Sequence, residues 1–403
     1  MAQRVTEEIY HFLNNFDLMT NGCSPHGENF NRFSNHQHPK NNFPTSPFGG
    51  MRGKKTFMKL RNIYLAAVIA LGITACSDND NDTPVTPEVP VVEKFAKGAD
   101  VSWLTQMEKQ GMKFYNVNGR QTEGMQLMQE LGMNAIRLRV WVNPADGWCN
   151  AGDMLVKAIR ANELGLRLMI DFHYSDSWAD PAKQDKPAAW ASLTFDELKT
   201  AVATHTTQVL TLLKTHNITP EWVQVGNETG NGMLWSDGKA SENMAQYAAL
   251  NNAGYDAVKA VFPSAKVIVH LQNGHNNNLF RWLFDGLKNN GGKWDVIGMS
   301  LYPNLLADTP WKTTNDNCVT NIEDMISRYN SEVMICEVGY DVSDPLTAKA
   351  FLSDLIGRTK AIANDKCLGV FYWEPQAYNS WNGYNMGAFD TNGQPTAAMD
   401  AFK

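Results

Sequence analysis

Basic residues are in short supply in this 403-residue chain, where 35 Lys and Arg stand against 42 Asp and Glu. Eight of the basic and four of the acidic residues precede Cys76, so the rest carries 27 against 38, a net of −11. A body so acidic is a poor partner for nucleic acid, whose binding is driven by cationic side chains that release counterions. It also disfavours polyuronate ligands, which it would repel. None of the six cysteines falls in C-x-x-C spacing, which argues against a zinc site. Disulfide pairing among Cys149, Cys318, Cys336 and Cys367 cannot be read from the sequence. The apolar run Ile63 to Leu71 is too short to span a bilayer, which takes roughly 20 residues.

That run fits a secretion signal instead. Met58-Lys59-Leu60-Arg61 supplies a start and two positive charges, and Ile73-Thr74-Ala75-Cys76 resembles a bacterial lipobox. The expected organisation is an upstream extension over residues 1–57 with no ordered fold, then a lipoprotein signal peptide over 58–75. An acidic, Pro-rich tether over 76–95 follows an acylated Cys76, and a single domain fills 96–403. Acidic residues directly after the acylated cysteine resemble a surface-export tag, which places the protein on the outer membrane, facing outward. Contact with the membrane is expected through the lipid alone, and the protein is expected to work as a monomer.

Within the domain, short β-branched or aromatic runs alternate with segments of helical period, eight times over. The runs lie at 97–103, 135–142, 167–174, 222–228, 266–272, 296–303, 333–340 and 368–375. Their near-continuous apolar character suits parallel strands buried on both faces. Helical segments such as 152–165 and 347–365 lie between them, and Gly132, Gly165 and Asn217 stand where helices end. Eight βα units in this length predict a (β/α)8 barrel, the TIM-barrel architecture. A doubly wound sheet would want a glycine-rich phosphate loop after its first strand, and "ADVSWLTQ" provides none.

A barrel carries its chemistry at the C-terminal ends of its strands. Arg139, His173, Asn227, Glu228, Tyr302, Glu337, Trp373 and Glu374 interrupt the apolar runs there. Glu228 ends the fourth run and Glu337 the seventh, which sets two carboxylates across the barrel mouth. Glycosidic cleavage needs such a pair: one carboxyl protonates the leaving oxygen while the other attacks the anomeric carbon or activates water. All 12 tryptophans lie after residue 100, and indole rings suit stacking on sugar C–H faces.

The segments "GADVSWL", "IRLRVWVNP", "DFHYSDSWADPAKQDKPAAW", "VQVGNE", "DVIGMSLYP", "ICEVGY" and "GVFYWEP" resemble the endo-β-1,4-galactanases of glycoside hydrolase family 53. The resemblance runs from about Gly98 to the C-terminus. It implies internal cleavage of β-1,4-galactan in the type I arabinogalactan side chains of pectin, with retained configuration and no required cofactor. By that pattern Glu228 is the acid/base and Glu337 the nucleophile. A structural calcium is left open. Leu301 stands where the family pattern leads one to expect a second tyrosine beside Tyr302. The expected supporting roles are Arg139 as the cation that keeps Glu337 ionised, with Tyr302 donating to the same carboxylate. Asn227 would bond the sugar 2-hydroxyl, and His173 and Trp373 would floor the reacting subsite. Trp178 and Trp235 would stack along the cleft. Other β-1,4-glycans (mannan, xylan, glucan) are the alternative substrates, and a non-catalytic glycan-binding lipoprotein is the alternative class. A metal site on Asp171, His173, Asp176 and Asp180 is disfavoured by its single histidine.

Overall fold

The computed structural model describes residues 93–403. The extension, the signal segment, Cys76 and the tether up to residue 92 lie outside the described residues. The elements run β1 (Ala96–Asp100), α1 (Leu104–Lys109), α2 (Gly124–Glu130), β2 (Ala135–Val140), α3 (Ala151–Glu163), β3 (Arg167–Phe172), α4 (Phe195–Thr215) and β4 (Trp222–Val225). They continue as α5 (Ala240–Val261), β5 (Lys266–Leu271), α6 (Asn277–Asn289), β6 (Val296–Leu301), α7 (Trp311–Tyr329), β7 (Glu332–Val338), α8 (Pro345–Lys360) and β8 (Cys367–Trp373). The eight parallel strands pair in chain order, and β1 closes on β8 from Ala96–Gly369 to Asp100–Trp373. This is a (β/α)8 barrel. After β8 a 3₁₀ turn, Ala397–Phe402, stands in for the final helix.

Local signals account for the helix limits. The Thr194 hydroxyl and the Glu197 carboxylate form a capping box at the start of α4. Gly132, Gly165 and Asn217 take φ of 93°, 68° and 59°, the left-handed conformation that ends a helix. Gly132 has a second constraint, since a Cβ there would lie 2.5 Å from the Phe402 carbonyl. The three stop signals read from the sequence therefore stand where the helices end.

Alternation along the strands builds the barrel in layers. Along β2, Ile136, Leu138 and Val140 face the helices, while Ala135 belongs to the interior. The floor of the barrel is wholly apolar: Ala96, Ala135, Met169, Trp222, Ile268, Val296, Met334, Cys336 and Phe371 pack together. Gly98 lets the Phe371 ring lie across this floor, because a Cβ there would sit 2.2 Å from the ring. Above the floor come fully buried polar side chains, Asp100, Arg137, Asp171, Gln224 and His270.

Two departures from regular strand geometry prepare the site. Met299 pairs Ile335 but Ser300 pairs Glu337, so Cys336 is an extra residue in β7. The bulge lets consecutive residues, Cys336 and Glu337, both face inward. The second departure concerns strand length. Several runs read from the sequence extend two or three residues past the observed strand ends. Gly226, Glu228, Tyr174 and Glu374 have φ of 89°, 47°, 48° and 48°, which breaks the ladder there. Left-handed backbone costs a non-glycine residue on the order of 1–2 kcal/mol, and such strain gathers at functional sites.

Candidate active site

Glu228 and Glu337 open into one cleft of about 780 Å³ at the C-terminal mouth of the barrel. Asn227, His173, Trp178, Tyr302 and Trp373 line the same cleft. Below it, Arg137 binds acceptors on every side. Its Nη1 donates to Asp100 at 2.7 Å and its Nε to Gln224 at 2.6 Å. One nitrogen, Nη2, meets three groups: Asp171 at 2.9 Å, the Asn227 side-chain oxygen at 2.9 Å and Glu337 at 2.7 Å. A single guanidinium thus joins strands β1, β2, β3, β4 and β7 beneath the reacting centre.

The two catalytic candidates differ in what touches them. Burial pushes the Glu228 carboxyl up to about 8, and the negative charge of Glu337 adds to the rise. Burial raises Glu337 as well, to about 7, while the Arg137 guanidinium and the Tyr302 hydroxyl, 3.2 Å from Oε2, pull it back. Arg137 and Tyr302 thus favour the charge on Glu337, and that charge in turn favours a proton on Glu228. Opposite protonation states in one pair of carboxyls are what acid-assisted displacement requires.

The flanking histidines are neutral for structural reasons. The Asn227 amide donates to the Ala179 carbonyl at 2.8 Å, so its oxygen accepts from Arg137 and from His270 Nδ1 at 3.0 Å. His270 Nε2 then accepts from the Ser300 hydroxyl at 2.8 Å. His173 Nδ1 accepts from the Ala179 amide at 3.1 Å, which leaves its Nε2 to donate to Asp171 at 3.0 Å. Burial lowers the pKa of both rings. Asp171, despite its burial, is held below the usual carboxylate range by Arg137 and His173.

Comparison with known proteins identifies the family. The family model described as glycosyl hydrolase family 53 matches residues 96–347 and 342–402. An arabinogalactan endo-β-1,4-galactanase of Thermothelomyces thermophilus is 31% identical over 336 residues, covering 76% of this chain and 98% of that protein. The GH53 catalytic domain of Ignisphaera aggregans superposes with a TM-score of 0.70 at 32% identity, over 79% of this chain and 97% of its own. A fungal β-1,4-galactanase structure gives the same TM-score at 30% identity, over 76% of this chain and 98% of its own. The chain belongs to glycosyl hydrolase family 53.

Within this family-53 barrel several supporting residues stand elsewhere than the sequence suggested. Arg137, two residues earlier on β2, contacts Glu337; Arg139 pairs instead with Glu374, Nη1 to Oε1 at 3.5 Å. Both arginines point inward, and their height in the barrel decides which carboxylate each meets. Arg139 is fully buried, and its guanidinium carbon lies 4.3 Å from the Trp178 ring centre and 4.9 Å from that of Trp141. It stands behind the cleft lining rather than in it. Trp235 does not line the cleft either. Its loop folds back on itself, so its indole donates to the Asn231 carbonyl at 2.9 Å and the Lys239 ammonium lies 5.5 Å from the ring. Leu301 faces the outer core, so a larger side chain there would meet helices rather than the cleft.

The acidic cluster after β3 is also committed to structure. Asp176 accepts from the amides of Asn143 and Ala188, and Asp180 from that of Ala182. Among the described residues no group of three His, Cys, Asp or Glu is arranged to hold a metal. Arg137, Gln224, His270 and Ser300 were not singled out from the sequence. A polar residue at an inward position of an otherwise apolar strand, as in "VIVHL", was the signal available for them. The four cysteines of the described chain are free and buried.

Proposed function

We propose that this family-53 hydrolase cuts β-1,4-galactan at internal bonds, with retention, in the arabinogalactan side chains of pectin. The observation that carries the reading is the asymmetric pair in one cleft, with Glu337 2.7 Å from the Arg137 guanidinium and Glu228 raised by burial and by the charge of Glu337. In the first step Glu337 attacks the anomeric carbon while Glu228 gives its proton to the departing glycosidic oxygen. The resulting ester removes the negative charge of Glu337, so the Glu228 pKa falls. Glu228 can then deprotonate the water that releases the sugar. Support for galactan as substrate comes from the names of the relatives, while the barrel and its carboxylates serve many β-glycans equally. A lipid on Cys76 would hold the enzyme at the outer-membrane surface, where oligosaccharides can be released for import. The mass of the mature N-terminal peptide tests that part.

The catalytic assignment is tested on soluble linear galactan by release of reducing ends. Glu228→Ala should lower turnover by about 10²–10⁴-fold, the usual worth of a placed general acid. Glu337→Ala should lower it at least as far and be partly rescued by azide, which would give an α-galactosyl azide. Proton NMR of early wild-type product should show the β-anomer first. Wild-type-like cleavage by either variant would remove the assignment. Absence of new reducing ends from any β-1,4-glycan would favour a binding protein.

A further inference from the structure

Four consecutive strand ends each contribute one tryptophan to the cleft: Trp373 from β8, Trp103 after β1, Trp141 after β2 and Trp178 after β3. Their rings meet edge to face. Trp373 and Trp103 are 5.0 Å apart between centres, Trp103 and Trp178 5.7 Å, and Trp178 and Trp141 5.2 Å. Neighbouring indoles could lean in many ways, so something must fix this arrangement.

Two buried side chains outside the reacting centre touch it. Glu374 follows Trp373 and is fully buried on left-handed backbone. Its carboxylate accepts from the Trp103 amide at 3.0 and 3.2 Å and from the Gln376 side chain at 2.6 Å. It thereby ties the loop after β1 to the end of β8, across the seam where the barrel closes. Arg139 reaches the same carboxylate and presses its planar guanidinium among three rings, Trp178, Trp141 and Trp103, the last at 5.7 Å. Its Nε has no hydrogen-bond partner. A buried cation that leaves a donor unused is held by ring faces as much as by its carboxylate.

We propose that Arg139 and Glu374 are a positioning pair that sets the four-tryptophan wall to receive sugar residues of the galactan chain next to the reacting one. The pair touches neither Glu228 nor Glu337; its contribution is to substrate binding. The inference rests on the proposed function for the identity of the sugar.

The test uses Glu374→Gln and Arg139→Lys in the whole enzyme. The first turns one of the two Glu374 oxygens that accept from the Trp103 amide into a donor, and the second replaces a planar stacking cation by a point charge. Each should raise KM on galactan about ten-fold, equivalent to about 1.4 kcal/mol of binding, with kcat within about three-fold and the pH limits of activity unmoved. Tryptophan emission should shift, and the emission change on adding galacto-oligosaccharide should shrink. Calorimetry in the Glu337→Ala background, where no bond is cut, should show the same ten-fold weakening when Glu374→Gln is added. Variants that melt earlier but keep wild-type KM and oligosaccharide Kd would reduce the pair to a structural role and overturn the proposal. A fall in kcat alone, with KM unchanged, would overturn it as well. If Glu337→Ala itself failed to bind galacto-oligosaccharide, the substrate assignment would fall instead, and KM on the true glycan would then test the pair.

Discussion

Arg137 and Arg139 are two residues apart on one strand, both fully buried and both inward, yet they live in different chemistry. Arg137 has a polar acceptor for every nitrogen and meets three carboxylates, from Asp100, Asp171 and Glu337. Arg139 has one carboxylate at 3.5 Å, the Cys149 sulfur at 3.4 Å and a ring of indoles. Two residues are about 6.6 Å along the strand, enough to pass from a layer of charge to one of aromatic faces. The lower arginine sets the charge of the reacting pair; the upper one belongs to the wall that faces the polymer. A residue type and an inward position are thus not enough to define a role in this barrel, and the layer has to be known.

The hardest test of that division is Arg137→Lys. A lysine ammonium has three donors and no planar fork, so it cannot serve Asp100, Asp171, Gln224, Asn227 and Glu337 together. Breaking a buried ion pair costs about 3–5 kcal/mol when a charge is left uncompensated, so a large drop in thermal stability is expected. Activity of the folded fraction should fall by orders of magnitude, mostly in kcat, because a single ammonium cannot stay on Glu337 while it also serves Asp100 and Asp171. Equal effects of Arg137→Lys and Arg139→Lys on kcat would erase the contrast between the two layers.

A finer cut is Tyr302→Phe, read as a pH profile. Activity needs Glu337 ionised and Glu228 protonated, so it should rise as pH passes the Glu337 pKa and fall as pH passes that of Glu228, about 8. The Tyr302 hydroxyl donates to the charged form of Glu337 and so lowers its pKa. Removing it should move the acid limb upward, by less than about one unit, since a net hydrogen bond is worth about 1 kcal/mol. The alkaline limb should stay where it is, and the active window should narrow from the acid side. Movement of the alkaline limb alone would place Tyr302 with Glu228 instead.

Much of this was legible in the sequence, and the reasons for the rest are physical. The eight strands and their order followed from apolar runs at βα spacing, and Glu228 and Glu337 stood out because carboxylates at the ends of such runs are uncommon. Arg139 drew attention over Arg137 because it lies nearer the end of its run, where site residues were expected. The height of Glu337 depends on the β7 bulge at Cys336, and nothing in "VMICEVGY" marks an extra residue. Trp235 shares the composition of a cleft aromatic, but its orientation was fixed by loop contacts such as the Trp235 amide to the Gln184 carbonyl, 2.7 Å. His270 was hidden by the opposite effect: one polar residue in a buried strand reads as part of the core until its partners, Asn227 and Ser300, are seen.

The gentlest probe of the upper layer is Cys149→Ser. The Cys149 thiol lines the cleft, is buried, and has its pKa pushed up to about 11 by that burial, so it meets Arg139 as a neutral group. Its contact at 3.4 Å is therefore a weak hydrogen bond to a neutral sulfur. Serine keeps an acceptor at nearly the same place, and the backbone of residue 149 stays tied by its amide to Asp153 at 2.7 Å. Stability should change by less than about 1 kcal/mol, near the net worth of one neutral hydrogen bond, and KM by less than about two-fold. A KM change as large as that of Glu374→Gln would mean that Arg139 is held through its sulfur contact and not through its carboxylate and the rings. The layer above Arg137 would then be polar after all, and the contrast between the two arginines would be one of degree.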